Sequence, residues 1–265
     1  MPSLEAGDLR IHYALSGRED GEVVLLSNSL GSSMRMWEKV LLALEAEYRV
    51  LRYDTRGHGA SSVPHGPYTL DQLGGDLLHM LTELEVERVK FCGLSLGGLI
   101  GLWLAVHAPQ RIEQLVLANT AARIGTPELW NQRIAAVRQS GMEVLAEATL
   151  GRWFTPEYRD AHRSEMAQVQ QMIASTAADG YCACCAVLRD ADLRADLASI
   201  RTPSLVITGK YDPATPPGDG RALASALHGS HYVELESSHM SAWERAVEFT
   251  AAVRTFLDEG GRGNG

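Results

Sequence analysis

Gly93-Leu94-Ser95-Leu96-Gly97 constrains this chain more than any other stretch. Val89-Lys90-Phe91-Cys92 before it reads as a strand, and Leu99–Ala108 after it reads as an apolar helix stopped by Pro109. A serine between a strand and a helix must make a sharp turn, held in a sparsely populated backbone conformation at a cost of about 1–3 kcal/mol. The residues two before and two after it approach each other, so glycine at 93 and 97 avoids a Cβ collision. Gly98 lets the helix lie close on the sheet. The turn raises the Ser95 hydroxyl above the sheet and places the Leu96 N–H at a helix N-terminus, aimed where negative charge develops. This is the pattern of a nucleophile elbow. It makes a demand on the remaining sequence, which has to supply a base and an acid.

On either side of the turn, strand and helix patterns alternate. Arg10–Leu15 alternates like a half-exposed strand, and Val23-Val24-Leu25-Leu26 is the continuous apolar run of a strand buried on both faces. Further strands are expected at Tyr48–Tyr53, Gln114–Ala118, Pro203–Thr208 and His231–Leu235. Helices are expected around Trp37–Leu44 and over Leu70–Leu84. The intervals suit right-handed crossovers and predict a doubly wound, mostly parallel α/β sheet. From 121 to 188 the strand-like runs cease, and Pro127 and Pro156 stand where helices would begin. Residues 121–188 are therefore expected to form a helical cap inserted into a core of residues 1–120 and 189–265. Glu259–Gly265, rich in glycine, is expected to fray.

A chain of 265 residues, 45% hydrophobic and 22% charged, can build one large α/β domain with a sizeable core. Its net charge of −9, spread without long runs, argues against nucleic acid or an anionic membrane as partner. The first eight residues have neither a basic nor an apolar region, so no signal peptide is expected. Leu99–Val106 falls far short of the ~18 apolar residues of a membrane span. Of four cysteines, three crowd at Cys182, Cys184 and Cys185, with neither a disulfide framework nor zinc-site spacing. A reduced, cytoplasmic setting is the simplest expectation.

In a sheet with this turn, the partners of the serine follow in the order acid, then histidine, each beyond a strand's carboxyl end. Asp212 follows the strand ending at Thr208, and His239 follows the strand ending at Leu235. Ser95, Asp212 and His239 are accordingly the expected nucleophile, orienting acid and general base. Leu96 supplies one oxyanion donor through its backbone N–H. A second is expected from the loop after Leu26, at the Leu30 N–H, since a backbone donor survives a change of side chain. Asp54 and His58, in Asp-Thr-Arg-Gly-His-Gly, are read as a hydrogen-bonded brace near the site's mouth.

Several longer stretches carry a resemblance: Ser27-Asn28-Ser29-Leu30-Gly31, Arg35-Met36-Trp37, Arg52-Tyr53-Asp54-Thr55-Arg56-Gly57-His58-Gly59 and Ala118-Asn119-Thr120-Ala121-Ala122. Trp130-Asn131-Gln132-Arg133, Arg152-Trp153-Phe154-Thr155, Asp179-Gly180-Tyr181, Asp212-Pro213-Ala214-Thr215-Pro216-Pro217 and Ser237-Ser238-His239 extend it. With these, the chain resembles the 3-oxoadipate enol-lactonases of the α/β-hydrolase fold over nearly its whole length. Where many hydrolases of that fold carry His-Gly-x, this chain has Asn28-Ser29-Leu30, which leaves the support of the loop to be found.

The resemblance implies opening of an enol-lactone ring bearing a carboxylate, giving 3-oxoadipate in aromatic breakdown, through an acyl-enzyme on Ser95. It implies neither a metal nor an organic cofactor, and a small anionic lactone as the molecule bound. An anion approaching a negative protein needs a local cation, and arginine suits a carboxylate. Of Arg133, Arg138, Arg152 and Arg163, Arg133 is the first choice, and Trp153 is a candidate pocket wall. The alternatives are a carboxylesterase, a carbon–carbon bond hydrolase, a perhydrolase, or a ligand-binding receptor on a hydrolase fold. A dehalogenase is disfavoured because position 95 is serine where those enzymes use aspartate.

Overall fold

The continuous apolar runs become the interior of an eight-stranded sheet. The computed structural model describes residues 2–261. In chain order the elements are β1 (Ser3–Ala6), β2 (Leu9–Gly17), β3 (Val23–Ser27), α1 (Glu38–Glu45), β4 (Arg49–Tyr53), α2 (Leu70–Glu83), β5 (Val89–Leu94), α3 (Leu96–His107) and β6 (Ile112–Ala118). There follow α4 (Pro127–Trp153), α5 (Pro156–Ala161), α6 (Arg163–Ala174), α7 (Ala178–Asp190), β7 (Ser204–Gly209), α8 (Pro217–Ala226), β8 (His231–Leu235), α9 (Ser241–Glu244) and α10 (Ala246–Gly261).

The strand order is β1-β2-β4-β3-β5-β6-β7-β8. Only the β1–β2 and β2–β4 pairings are antiparallel; from β4 to β8 every neighbour runs parallel. The winding reverses at β3, which pairs with β4 on one side and β5 on the other. Ligands of open α/β sheets bind beyond the strand ends at such a reversal. Leu30 lies just past β3, and Ser95 just past β5.

All six residues of β5 and of β7 are buried, because helices cover both faces of the sheet. Phe91 points towards Gly101 of α3, while its neighbour Lys90 points the other way, to the Leu257 carbonyl of α10 at 3.3 Å. The lysine is 1% exposed and is also held by Gln114 Oε1 at 2.6 Å.

Two local readings change. The edge strand β1 was not expected, since only Leu4 and Ala6 of its four residues are apolar; these two are partly buried, while Ser3 and Glu5 are exposed. Helix α10 continues to Gly261, through the start of the expected frayed tail; residues 262–265 lie outside the described residues.

Between β6 and β7 the described chain is helical, with Pro127 and Pro156 in the first turns of α4 and α5. Gly141 breaks α4 with a φ of +75°. These helices share the buried apolar cluster of the sheet. Polar ties reinforce this, with Met240 N–H, past β8, donating to Trp153 O of α4 at 3.0 Å, and Leu193 N–H donating to Ala122 O at 2.9 Å between the segments that follow α7 and β6.

Candidate active site

Ser95 takes φ 59° and ψ −114°, the strained conformation that the strand-to-helix turn demands. A Cβ on Gly93 would lie 2.3 Å from the Gly97 carbonyl oxygen, and one on Gly97 would lie 2.1 Å from that of Ser27. No side chain fits either place. Helix α3 begins at Leu96, directly after the serine and three residues earlier than the apolar pattern suggests. The Ser95 backbone is pinned through its N–H to Ala118 O at 2.9 Å and through its carbonyl, which accepts from Thr120 Oγ1 at 2.8 Å. Its hydroxyl has no hydrogen-bond partner among the described residues.

Asp212 and His239 meet past the ends of β7 and β8. His239 Nδ1 lies 2.7 Å from Asp212 Oδ2, and both residues are 3% exposed. Four more donors converge on that carboxylate. Ala214 N–H and Thr215 N–H reach Oδ1 at 2.8 and 3.1 Å, while Thr215 Oγ1 and Asn119 Nδ2 reach Oδ2 at 2.7 and 3.0 Å. Burial pushes the Asp212 carboxyl up, but His239 and the donors from His239, Asn119 and Thr215 outweigh it, leaving it below the usual carboxylate range. The acid is therefore an acceptor that fixes the imidazole with Nδ1–H towards it, and Nε2 is left without a protein partner among the described residues.

Asn119 and Thr120 were not singled out from the sequence as site residues. Asn119 adopts φ +45°, which asparagine tolerates better than most residues, and its side chain joins Asp212, the Ser238 carbonyl and Ser241 Oγ. Thr120 holds the serine turn. One strand end thus fixes both Asp212 and Ser95, a link between distant segments that no local pattern announces.

The loop after β3 has the support that its departure from His-Gly-x left open. Asn28 Nδ2 donates to Tyr53 O at 2.6 Å, and Trp37 Nε1 donates to Asn28 Oδ1 at 2.9 Å. Gly31 N–H donates to His58 Nε2 at 3.0 Å, and His58 Nδ1 faces Arg56 O at 3.2 Å. Burial holds His58 below its ordinary pKa, against the pull of that carbonyl and of Asp54. His58 is thus a neutral brace. Asp54 does similar work, accepting from Met34 N–H, Ala60 N–H and His12. With the loop so held, Leu30 and Leu96 are buried residues whose N–H groups have no acceptor among the described residues.

A cavity of about 190 Å³ brings the parts together, lined among others by Leu30, Ser95, His239, Arg133, Arg152 and Trp153. Arg133 stacks over Trp130, 5.0 Å from the ring centre. Arg152 donates to Thr149 Oγ1 at 2.8 Å, and burial and the neighbouring Arg133 lower its pKa. Neither arginine has a carboxylate partner among the described residues. Arg138 lies instead on a separate groove between the 63–67 loop and helices α4 and α7, and Arg163 is an exposed residue beside Asp160. Arg152 is a second cavity cation beside Arg133, one that ranking by sequence position placed behind it.

A model of the α/β hydrolase fold family matches residues 22–246. The chain belongs to that family. 3-Oxoadipate enol-lactonase 2 of Acinetobacter baylyi is 40% identical to this hydrolase over 255 residues, 96% of each chain. 3-Oxoadipate enol-lactonase 1 of the same organism is 39% identical over 92% of this chain and 91% of its own. Among solved structures, the enol-lactonase from Burkholderia xenovorans superposes with a TM-score of 0.96 at 44% identity, covering 97% of this chain and 100% of that one. A hydrolase from Pseudomonas aeruginosa gives 0.94 at 46%, covering 97% of each. This hydrolase has no helix, among the described residues, long and apolar enough to cross a membrane.

Proposed function

We propose that this hydrolase opens the ring of 3-oxoadipate enol-lactone, giving 3-oxoadipate, by way of an acyl-enzyme on Ser95. The observation that carries the reading is one small cavity lined by an unpartnered serine, a carboxylate-held histidine and two arginines without carboxylate partners. Its volume, about 190 Å³, suits a single small ring and falls below the ~300–1,000 Å³ of sites for drug-sized ligands. The similarity to proteins named as enol-lactonases points to the same ring.

In this reading residues 121–188 form the cap over the site, and Arg133 holds the carboxylate of the lactone, with Arg152 nearby and Trp153 as wall. His239 Nε2 takes the Ser95 proton as Oγ attacks the lactone carbonyl. The Leu30 and Leu96 N–H groups receive the oxyanion; each such donor is worth on the order of 2.7–4 kcal/mol of barrier. Ring opening expels an enolate, a better leaving group than an alkoxide, which becomes the ketone by taking the proton held on His239 and so frees Nε2 to act as base again. Water deprotonated by His239 then releases the acid and restores Ser95. Asp212 holds the imidazole in the required tautomer and stabilises the imidazolium. Free thiols at all four cysteines suit a reducing cytoplasm.

The test is ultraviolet loss of the enol-lactone beside hydrolysis of a neutral p-nitrophenyl ester. The lactone is expected to be turned over with much the higher kcat/KM, and Ser95→Ala to abolish both reactions in a folded protein. A parent protein that prefers the neutral ester, or undiminished turnover by Ser95→Ala, refutes the proposal.

A further inference from the structure

Glu244 is 8% exposed and has no cationic partner among the described residues. A buried carboxylate without a cation is costly unless hydrogen bonds satisfy it. Three donors do so here, and they come from two distant places. Oε2 accepts from Ser238 N–H at 2.9 Å, while Oε1 accepts from Thr155 N–H at 3.3 Å and from the Thr155 hydroxyl. Ser238 immediately precedes His239, and Thr155 lies two residues past the end of α4.

The same seam is stitched twice more through main-chain acceptors. Ser238 Oγ donates to Arg152 O at 2.8 Å, and Met240 N–H donates to Trp153 O at 3.0 Å. The residues on each side of His239 are therefore tied to the segment that carries Arg152 and Trp153 into the cavity. Among these three ties, Glu244 alone uses one side chain to hold both segments at once.

We propose that Glu244 is a positioning residue that locks the His239 loop to the end of α4, so that the imidazole and the cavity wall keep a single register. The inference rests on His239 being the general base of the proposed reaction. Glutamine at 244 keeps the size of the side chain but has one oxygen for two backbone donors, so either Ser238 N–H or Thr155 N–H loses its acceptor, even though the Thr155 hydroxyl can turn to accept. Valine at 155 removes the hydroxyl arm together with the cap that the same oxygen gives the Tyr158 N–H of α5, and serine restores both.

The experiment compares kcat and KM for the enol-lactone, per folded molecule, in Glu244→Gln, Thr155→Val and Thr155→Ser, with His239→Ala alongside. Misplacing a reacting group by about 1 Å can cost ~100-fold in rate. A partial release is therefore expected to lower kcat by roughly tenfold in Glu244→Gln and Thr155→Val. KM should change less than about threefold, because Arg133 sits on an untouched part of α4, and Thr155→Ser should return kcat to near the parent value. A tie that served stability alone would lower Tm and leave kcat per folded molecule in place. The proposal is overturned if folded Thr155→Val keeps parental kcat, or if Thr155→Ser is as impaired as Thr155→Val. With His239→Ala inactive, either result removes the tie and leaves the base assignment standing; parental turnover by His239→Ala removes both.

Discussion

Replacing Asp212 by asparagine isolates what the carboxylate does, because every one of its neighbours is a donor. Two of them, the Ala214 and Thr215 N–H groups on Oδ1, belong to the backbone and cannot turn round. An asparagine that aimed its NH₂ at them would orphan two buried N–H groups, at about 1–3 kcal/mol each. It will instead keep its oxygen there and present NH₂ on the Oδ2 side, to His239, Thr215 Oγ1 and Asn119. The threonine hydroxyl can rotate to accept, and the imidazole can accept by moving its proton from Nδ1 to Nε2. Asn119 Nδ2 can only lose its bond, at about 1–3 kcal/mol. For a chain of this length that is a fall in Tm of roughly 2–12 °C. The catalytic loss is far larger, because a proton on Nε2 leaves no base facing Ser95. The same tautomer error in a serine protease lowers kcat ~10⁴-fold, about 5 kcal/mol of barrier. The assay is ultraviolet loss of the enol-lactone at saturation, paired with a thermal melt. A kcat within tenfold of the parent, in a variant of near-parental Tm, refutes the role assigned to Asp212.

Arg133→Ala is expected to raise KM for the anionic lactone by roughly 10- to 100-fold, from the ~1.5–3 kcal/mol of a charged hydrogen bond, and to spare a neutral ester. Equal effects on both substrates would remove Arg133 as the anchor. Since Arg152 shares the cavity, the Arg133/Arg152 double variant should lose more than the two single losses combined, as a double-mutant cycle will show. His58→Ala removes the acceptor for Gly31 N–H, beside the Leu30 donor, and is expected to lower kcat on the order of tenfold. That is less than the ~100-fold or more of deleting an oxyanion donor outright. Acidification should lower stability in two steps, read by denaturant melts at stepped pH. The folded pKa of His58 lies below its unfolded value, so its contribution is complete above ~6.5 and lost as pH falls through the folded value. Asp212 is likewise depressed, so its contribution is complete above ~4 and lost below that. His58→Ala should erase the upper step and Asp212→Asn should shrink the lower, which other paired carboxylates such as Asp192 share.

The sequence by itself determined the sheet and the position of the serine. Continuous runs such as Val23–Leu26 and the residues before Gly93 can be satisfied only between two layers, and the glycines at 93 and 97 leave one way to turn. Both are short-range steric and hydrophobic constraints, written in adjacent residues. Asp212 and His239 were legible for a related reason, as polar residues just past strand ends in a sheet whose parallel order brings those ends together. Only the tertiary structure decided the rest. It selected Arg133 and Arg152 from four arginines on similar helical patterns, since which helix face meets the cavity depends on packing between α4 and the sheet. It also made Asn119, Thr120 and Glu244 supports of the site, through hydrogen bonds between segments far apart in the chain. A hydrogen-bonding side chain carries no mark of its distant partner. Its role exists only once the fold has brought the two within about 3 Å.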